Sequence, residues 1–174
     1  MKSYISILFI LFMSCVRSDS NDQTMQVQGF VPIYASRQVV NTIATEAARS
    51  TVRSGKIYAY GNYLFQVEQN EGIHIIDNSN PQQAKKIAFL KVPMASEIAI
   101  KEDHLYTNNL SDILVFNLAS ISSPKLVHRI PDAFPVIDQT FPPFDNTAFE
   151  CADSTKGVVI GWESKMITNP KCRR

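Results

Sequence analysis

Between Lys56 and Phe134 the chain runs in short stretches of Ile, Val, Leu, Phe and Tyr that alternate with polar residues and are cut by turn formers. This alternation predicts strands, because a strand turns successive side chains to opposite faces. No segment between them carries a helical period. The first four strands are expected at Ile57–Tyr60, Tyr63–Val67, Ile73–Ile76 and Lys86–Val92. Gly61-Asn62 is the two-residue turn of a tight hairpin. Gln69-Asn70-Glu71-Gly72 turns the chain again. Asp77-Asn78-Ser79-Asn80-Pro81 ends the third strand, since Pro81 has no N–H to give a ladder. Four more strands are expected at Glu97–Lys101, His104–Asn108, Ile113–Asn117 and Leu126–Ile130.

The two sets of four repeat one another. Ile57, Asn62, Leu64 and Phe65 lie 41 positions before Ile98, Asp103, Leu105 and Tyr106. Ile73, Ile76 and Asp77 lie 40 positions before Ile113, Phe116 and Asn117. Four strands in roughly forty residues is the spacing of propeller blades. Ile73 and Ile75 share one face of their strand while His74 and Ile76 share the other. Both faces thus carry apolar weight, and such a sheet needs a neighbour on each side.

Outside the repeat the pattern is weaker. Gly29–Tyr34 reads as a short extended segment, with Pro32 suited to a sheet edge. Ser36–Ser54 is the one stretch with a partial helical period, through Val39, Val40, Ile43 and Ala47. Pro131, Pro135, Pro142 and Pro143 mark an irregular connector. Ala148–Ala152 and Gly157–Glu163 then read as a terminal hairpin, spanning about residues 148–163.

The start of the chain changes the picture from fold to address. Lys2, the apolar run Ile5–Met13 and the small Ser14 form a secretory leader over residues 1–14, too short to cross a bilayer as a helix. LFMS before Cys15 resembles a bacterial lipobox, with Phe12 where that pattern prefers Leu. The resemblance implies a lipid on Cys15; the leader itself implies an exported chain, and the polar, aperiodic residues that follow read as a flexible tether over 15–28. Without Lys2 the 17 basic residues become 16, against 16 acidic. A balance of zero argues against nucleic acid or a polybasic membrane contact. Attachment to the membrane would come from the lipid alone. Cys151 and Cys172 are the cysteines that remain. In an oxidising compartment they are expected to form a disulfide, worth roughly 3 kcal/mol for a loop of about 20 residues.

Candidate chemistry is sparse. His74, His104 and His128 fall at different repeat positions, which gives them no reason to converge on a metal; they read as strand-surface residues. Asp77 and Asn117 close equivalent strands and read as side chains capping their own turns. No catalytic motif, phosphate loop or dinucleotide fingerprint is present, so no catalytic residue and no cofactor is assigned. The aromatics offer a candidate binding surface at Tyr58, Tyr60, Tyr106 and Trp162, suited to glycan or peptide, against the ordinary role of strand aromatics in a core. Asp153-Ser154-Thr155 resembles a short O-glycosylation motif.

GFVPIYAS, GKIYAYGNYLF, GIHIIDNSNP and FECADSTKGVVIGWE, taken together, resemble the LVIVD-repeat proteins, β-propeller-type lipoproteins of Bacteroidetes whose function is largely unknown. The likeness runs from about Gly29 to Cys172, and in the second unit Asn117 stands where the family has Asp. The family implies an all-β fold and an outer-membrane address, and brings no catalytic residues. A closed propeller needs at least four blades, and only two units are found. The expectation is therefore an incomplete stack of two four-stranded blades over residues 29–174, with units at about 56–93 and 97–135. The terminal segments would cap it, or strands from both would complete a third sheet. Function is expected in binding or assembly through a protein partner or self-association, the alternative being a glycan-binding or glycan-active surface protein.

Overall fold

The computed structural model describes residues 24–134 and 140–174. The leader, Cys15, most of the tether and Pro135 lie outside the described residues. In chain order the elements are β1 (Gln26–Ala35), a single helical turn α1 (Arg37–Val40), β2 (Ala44–Glu46), β3 (Ser54–Tyr60), β4 (Tyr63–Glu68), β5 (Gly72–Asp77) and β6 (Lys85–Lys91). They continue as β7 (Ile98–Lys101), β8 (His104–Asn109), β9 (Asp112–Asn117), β10 (Lys125–Ile130), β11 (Ala148–Phe149), β12 (Val158–Thr168) and β13 (Cys172–Arg173).

The protein is all-β, with three sheets, none of them closed. The first has the order β2-β6-β5-β4-β3, the second β10-β9-β8-β7 and the third β12-β1-β11-β13. Each repeat unit is an antiparallel meander, and the two units share one register. Phe65 pairs with Ile75 and Val67 with Ile73 in the first; Tyr106 pairs with Val115 and Asn108 with Ile113 in the second. The Asx turns form at both strand ends, where Asp77 Oδ1 accepts from the N–H of Ser79 and Asn117 Oδ1 from that of Ala119. Gly72 has φ +152°, and a Cβ there would stand 2.2 Å from the Leu90 carbonyl oxygen. Only glycine permits that approach.

The main core lies between the first two sheets. Phe65, Val67, Ile73, Ile75, Ala88 and Leu90 from one side meet Ile100, Leu105, Leu114 and Phe116 from the other. Each large side chain so buried contributes about 1.5–3 kcal/mol. The repeat offsets map Leu105, Leu114 and Phe116 onto Leu64, His74 and Ile76, which point out of the first sheet's far side. The units therefore stack head to tail, one face of the first on the opposite face of the second.

Three sequence expectations are corrected. The helix expected within Ser36–Ser54 is one turn, capped by Ser36 Oγ on the N–H of Val39. Ala44–Glu46 instead adds a fifth strand to the exposed edge of β6. An unpaired ladder offers those residues more than an isolated helix in water would. The hairpin expected over 148–163 does not form. β1 lies between its two halves, antiparallel to β12 along its whole length and parallel to β11 at Phe30. Pro32 accordingly sits in an inner strand. Phe30 accepts a hydrogen bond from Glu150 on the β11 side; two residues on, Pro32 faces the same side where β11 has ended, so its missing N–H is not needed.

Strands from both ends of the chain thus make the third sheet. Its packing is aromatic. Phe149 is buried edge-on against Phe141 and Trp162, with ring centroids 5.9 and 5.5 Å apart, and Phe144 stacks on Phe30 at 5.2 Å. Cys151 and Cys172 form the expected disulfide across a separation of 21 residues, beside the β11–β13 pair.

Candidate docking face and a strapped sheet

The two outer faces of the stack differ, and the difference is where chemistry and function can sit. On the first sheet the outward side chains are Gln66, His74 and Phe89, aligned across β4, β5 and β6. Residues 47–53, which form no strand or helix, lie across them as a strap. The Arg49 guanidinium stacks on the Phe89 ring at 3.8 Å and pairs with Glu71 at 3.3 Å. Lys86 Nζ donates to the Arg49 carbonyl and to Thr51 Oγ1, and Thr51 donates to Gln66.

The strap is anchored on Glu68. Its carboxylate accepts the N–H of Val52 at 3.1 Å, the N–H of Arg53, and Nε2 of His74 at 2.9 Å. Both side chains are sealed, with 3% of Glu68 and none of His74 exposed. Burial pushes the Glu68 carboxyl upward, but the hydrogen bonds from Arg53, His74 and Val52 outweigh it and hold the group below the usual carboxylate range. Burial pushes His74 down, aided by Lys86 and Arg49 and opposed by Glu68, leaving it below its ordinary value. The pair is therefore carboxylate and neutral imidazole. A carboxylate only accepts, so Nε2 carries the proton and Nδ1 is a bare acceptor, buried without a partner. Protonating it would create a buried N–H with nothing to receive it. The pair lies beneath the strap and holds it in place.

His74 is thus not the strand-surface residue its sequence position suggested. His104 is half-buried and His128 exposed, both in the second sheet, with the stack between them and His74. Among the described residues no three His, Cys, Asp or Glu side chains group to hold a metal.

Among the described residues no strap crosses the second sheet's outer face. Ala99, Tyr106, Asn108 and Ile113, with Phe134 beyond β10, line a cleft of 470 Å³. Ile130 and Phe134 are 40% and 39% exposed. By the repeat offsets Tyr106, Ile113 and Val115 correspond to Phe65, Ile73 and Ile75, all three completely buried in the first unit; in the second, Val115 is buried while Tyr106 and Ile113 are half-buried. Asn108, beneath the cleft, is spent on structure: its oxygen accepts from the N–H groups of Ser96 and Glu97, and its amide donates to Met94.

The four aromatics proposed as one surface do not converge. Tyr58 donates to the Ile100 carbonyl at 2.8 Å and Tyr60 to the Asp103 carboxylate, so both weld β3 to the second unit. That hydrogen bond pushes the Tyr60 phenol above its ordinary value. Tyr106 belongs to the open face. Trp162 lies in a separate cleft of 330 Å³ with Phe30, Phe141, Phe144, Asn70 and Arg174. Asp153 is committed to its own turn, accepting from the N–H and hydroxyl of Thr155.

Sequence reasoning missed Glu68 as the anchor, and the signal was faint. A lone Glu beside an apolar alternation looks like a strand end. Only the apolar weight on both faces of the Ile73–Ile76 strand, with His74 on the face opposite Ile73 and Ile75, hinted at a buried polar group. Comparison with known proteins adds nothing to the geometry: no protein-family model, no curated protein and no solved structure matches the chain. Among the described residues no helix is long and apolar enough to cross a membrane.

Proposed function

We propose that this chain is an exported, lipid-anchored envelope protein, carried on Cys15, whose propeller-type repeat domain serves as a binding or assembly module, in keeping with its resemblance to LVIVD-repeat lipoproteins. The observation that carries the reading is the open face at Tyr106, Ile113, Ile130 and Phe134. Its repeat-equivalent face in the first unit is completely buried, whereas here only Val115 and Asn108 are buried, and Tyr106, Ile113, Ile130 and Phe134 leave apolar surface half-exposed. Exposed contiguous apolar surface of this kind marks interaction sites. A photo-reactive benzoylphenylalanine in place of Tyr106 tests it in the native envelope. A discrete adduct is expected at Tyr106 and none at a control position, Lys171. Absence of any adduct at Tyr106 would end the reading. Membrane fractionation of a Cys15→Ser variant tests the anchor, which should be lost.

A second reading, glycan binding, draws on the cleft of Trp162. Exposed ring faces carry partial negative charge and suit the C–H edges of a sugar, and Asn70 and Arg174 supply donors beside them. Trp162 is the chain's one tryptophan, so its emission reports occupancy directly. Unchanged emission across a panel of oligosaccharides would dispose of this alternative.

A further inference from the structure

We infer that residues 47–53 are an acid-sensitive latch: near neutrality they lie closed over the first sheet, and a proton taken up by His74 favours their lifting as a unit while the sheet beneath stays paired. The inference depends on neither the docking face nor the anchor proposed above.

The path of the strap makes a local opening feasible. It leaves β2 at Glu46, on one edge of the first sheet, and enters β3 at Ser54, on the other edge, crossing β6, β5 and β4 on the way. Four strand spacings are about 19 Å, and the eight residue steps from Glu46 to Ser54 reach about 26 Å. The strap therefore has slack, and it can lift with both ends still in their ladders. From Ala48 to Val52 it makes no backbone-to-backbone bond to the sheet among the described residues; the Arg53 carbonyl, at its far end, accepts the N–H of Gln69. Side chains hold the rest. Glu68 accepts the amides of Val52 and Arg53, Lys86 donates to the Arg49 carbonyl and Thr51, and Phe89 lies under the Arg49 guanidinium. A cleft of 260 Å³ beside Glu68, lined by Arg49, Ser50, Val52 and Arg53, leaves the strap unpacked along that flank.

His74 is the group that a proton upsets. Its ring is wholly buried, with Nε2 committed to Glu68 and Nδ1 without a partner. The charges around it favour the neutral ring. β4 brings Glu68, the turn after it Glu71, β6 Lys86 and Lys91, β2 Glu46, and the strap Arg49 and Arg53. Arg49 pairs with Glu71 and Lys91 with Glu46, which leaves Lys86 and Arg53 against Glu68 alone. A charged His74 would be a third cation there, with a buried N–H that nothing receives. Lifting the strap gives that N–H water, so opening and protonation favour one another. Glu68, held ionised by its own donors, takes a proton only at lower pH.

The test is backbone hydrogen exchange on the purified full-length chain at pH 7.5 and 5.5, read as protection relative to the intrinsic rate at each pH. Val52 and Arg53 should lose about tenfold in protection, because pH 5.5 lies one unit below the ordinary imidazole value of about 6.5. At both pH values they should exchange at least about a hundredfold faster than the core amides of β4 and β5, which marks the opening as local. His74→Gln cannot take up the proton and should show the same protection at both. Wild-type protection that does not change with pH, strap amides that exchange in step with the core, or a fall retained in His74→Gln would each overturn the latch. Should that variant fail to fold, the ring nitrogen shifts of wild-type His74 decide. A neutral ring at pH 6.5 that gains its proton in step with the strap's exchange supports the inference; a ring already half-protonated there, under a protected strap, overturns it.

Discussion

Glu68→Gln removes a charge while leaving the volume of the side chain almost unchanged, which isolates what the carboxylate does for the strap. Glu68 accepts from three donors, the N–H groups of Val52 and Arg53 and Nε2 of His74. Each hydrogen bond to an ionised group contributes about 1.5–3 kcal/mol. Glutamine keeps one acceptor oxygen and turns an NH₂ toward donors that need an acceptor. The loss does not reach the full sum, because the strap can lift. Val52 is already 86% exposed, so water can take the freed amides once residues 47–53 leave the sheet. The expected cost is about 3 kcal/mol, or roughly two decades in the strap's opening equilibrium. Hydrogen exchange read at the Val52 and Arg53 amides gives the local term, and urea unfolding gives the global one. If both amides exchange at wild-type rates and the melt moves by less than about 0.5 kcal/mol, the range of an ordinary surface change, Glu68 does not anchor the strap.

Acid should loosen the same device. Glu68 and His74 both lie below their ordinary values, so below the unfolded pKa of each the unfolded chain binds more protons than the folded one and stability falls with pH. The histidine term begins near pH 6.5, the usual imidazole value, and the carboxylate term near 4.3. Arg49, Lys86, Arg53 and Glu71 face the pair from the strap and the neighbouring strands. Urea melts at pH 7.5 and 5.5 should differ by about 1 kcal/mol, and His74→Gln should abolish most of the difference; a pH-independent wild type would contradict the assignment. Replacing Cys151 and Cys172 by Ser should cost about 3 kcal/mol through loop entropy, seen as a lower unfolding midpoint under oxidising conditions and not under reducing ones. Gly72→Ala forces a Cβ toward the Leu90 carbonyl at 2.2 Å in a backbone region that L residues avoid. It should destabilise by about 3 kcal/mol, and a denaturation midpoint equal to wild type would refute the close approach.

The repeat was legible because its information is local. Gly61-Asn62, Asp77–Pro81 and the two-residue alternation sit within a few positions of the strands they bound, and β3–β10 follow those expectations to within a few residues at each end. The third sheet was legible only in outline. GVVIGWE does form a strand, but its partner is β1, more than a hundred positions earlier in the chain. A strand's apolar pattern reports how much of it is buried and carries no record of which edge it meets. The helical period over Val39, Val40, Ile43 and Ala47 misled for the same reason, since β2 was drawn to a sheet edge that sequence pattern cannot see.

The candidate sites divide along that line. Cys151 and Cys172 could be paired from the expected oxidising compartment and their count, because few arrangements were open to them. Tyr58, Tyr60, Tyr106 and Trp162 could not be sorted, because a strand aromatic reads the same whether it welds two sheets, floors a cleft or faces water. His74 shows the limit most sharply. Its alternation with Ile73 and Ile75 required that something cover it. Only the fold shows that the cover is residues 47–53, pinned by a carboxylate six positions before the histidine. By itself the sequence determined two four-stranded units and the turns that bound them, since these follow from spacing and turn chemistry, and a disulfide, from cysteine count and an expected oxidising compartment. The tertiary structure decided that the first sheet's outer face is closed by residues 47–53, because that depends on where a polar strap comes to rest after the strands have paired.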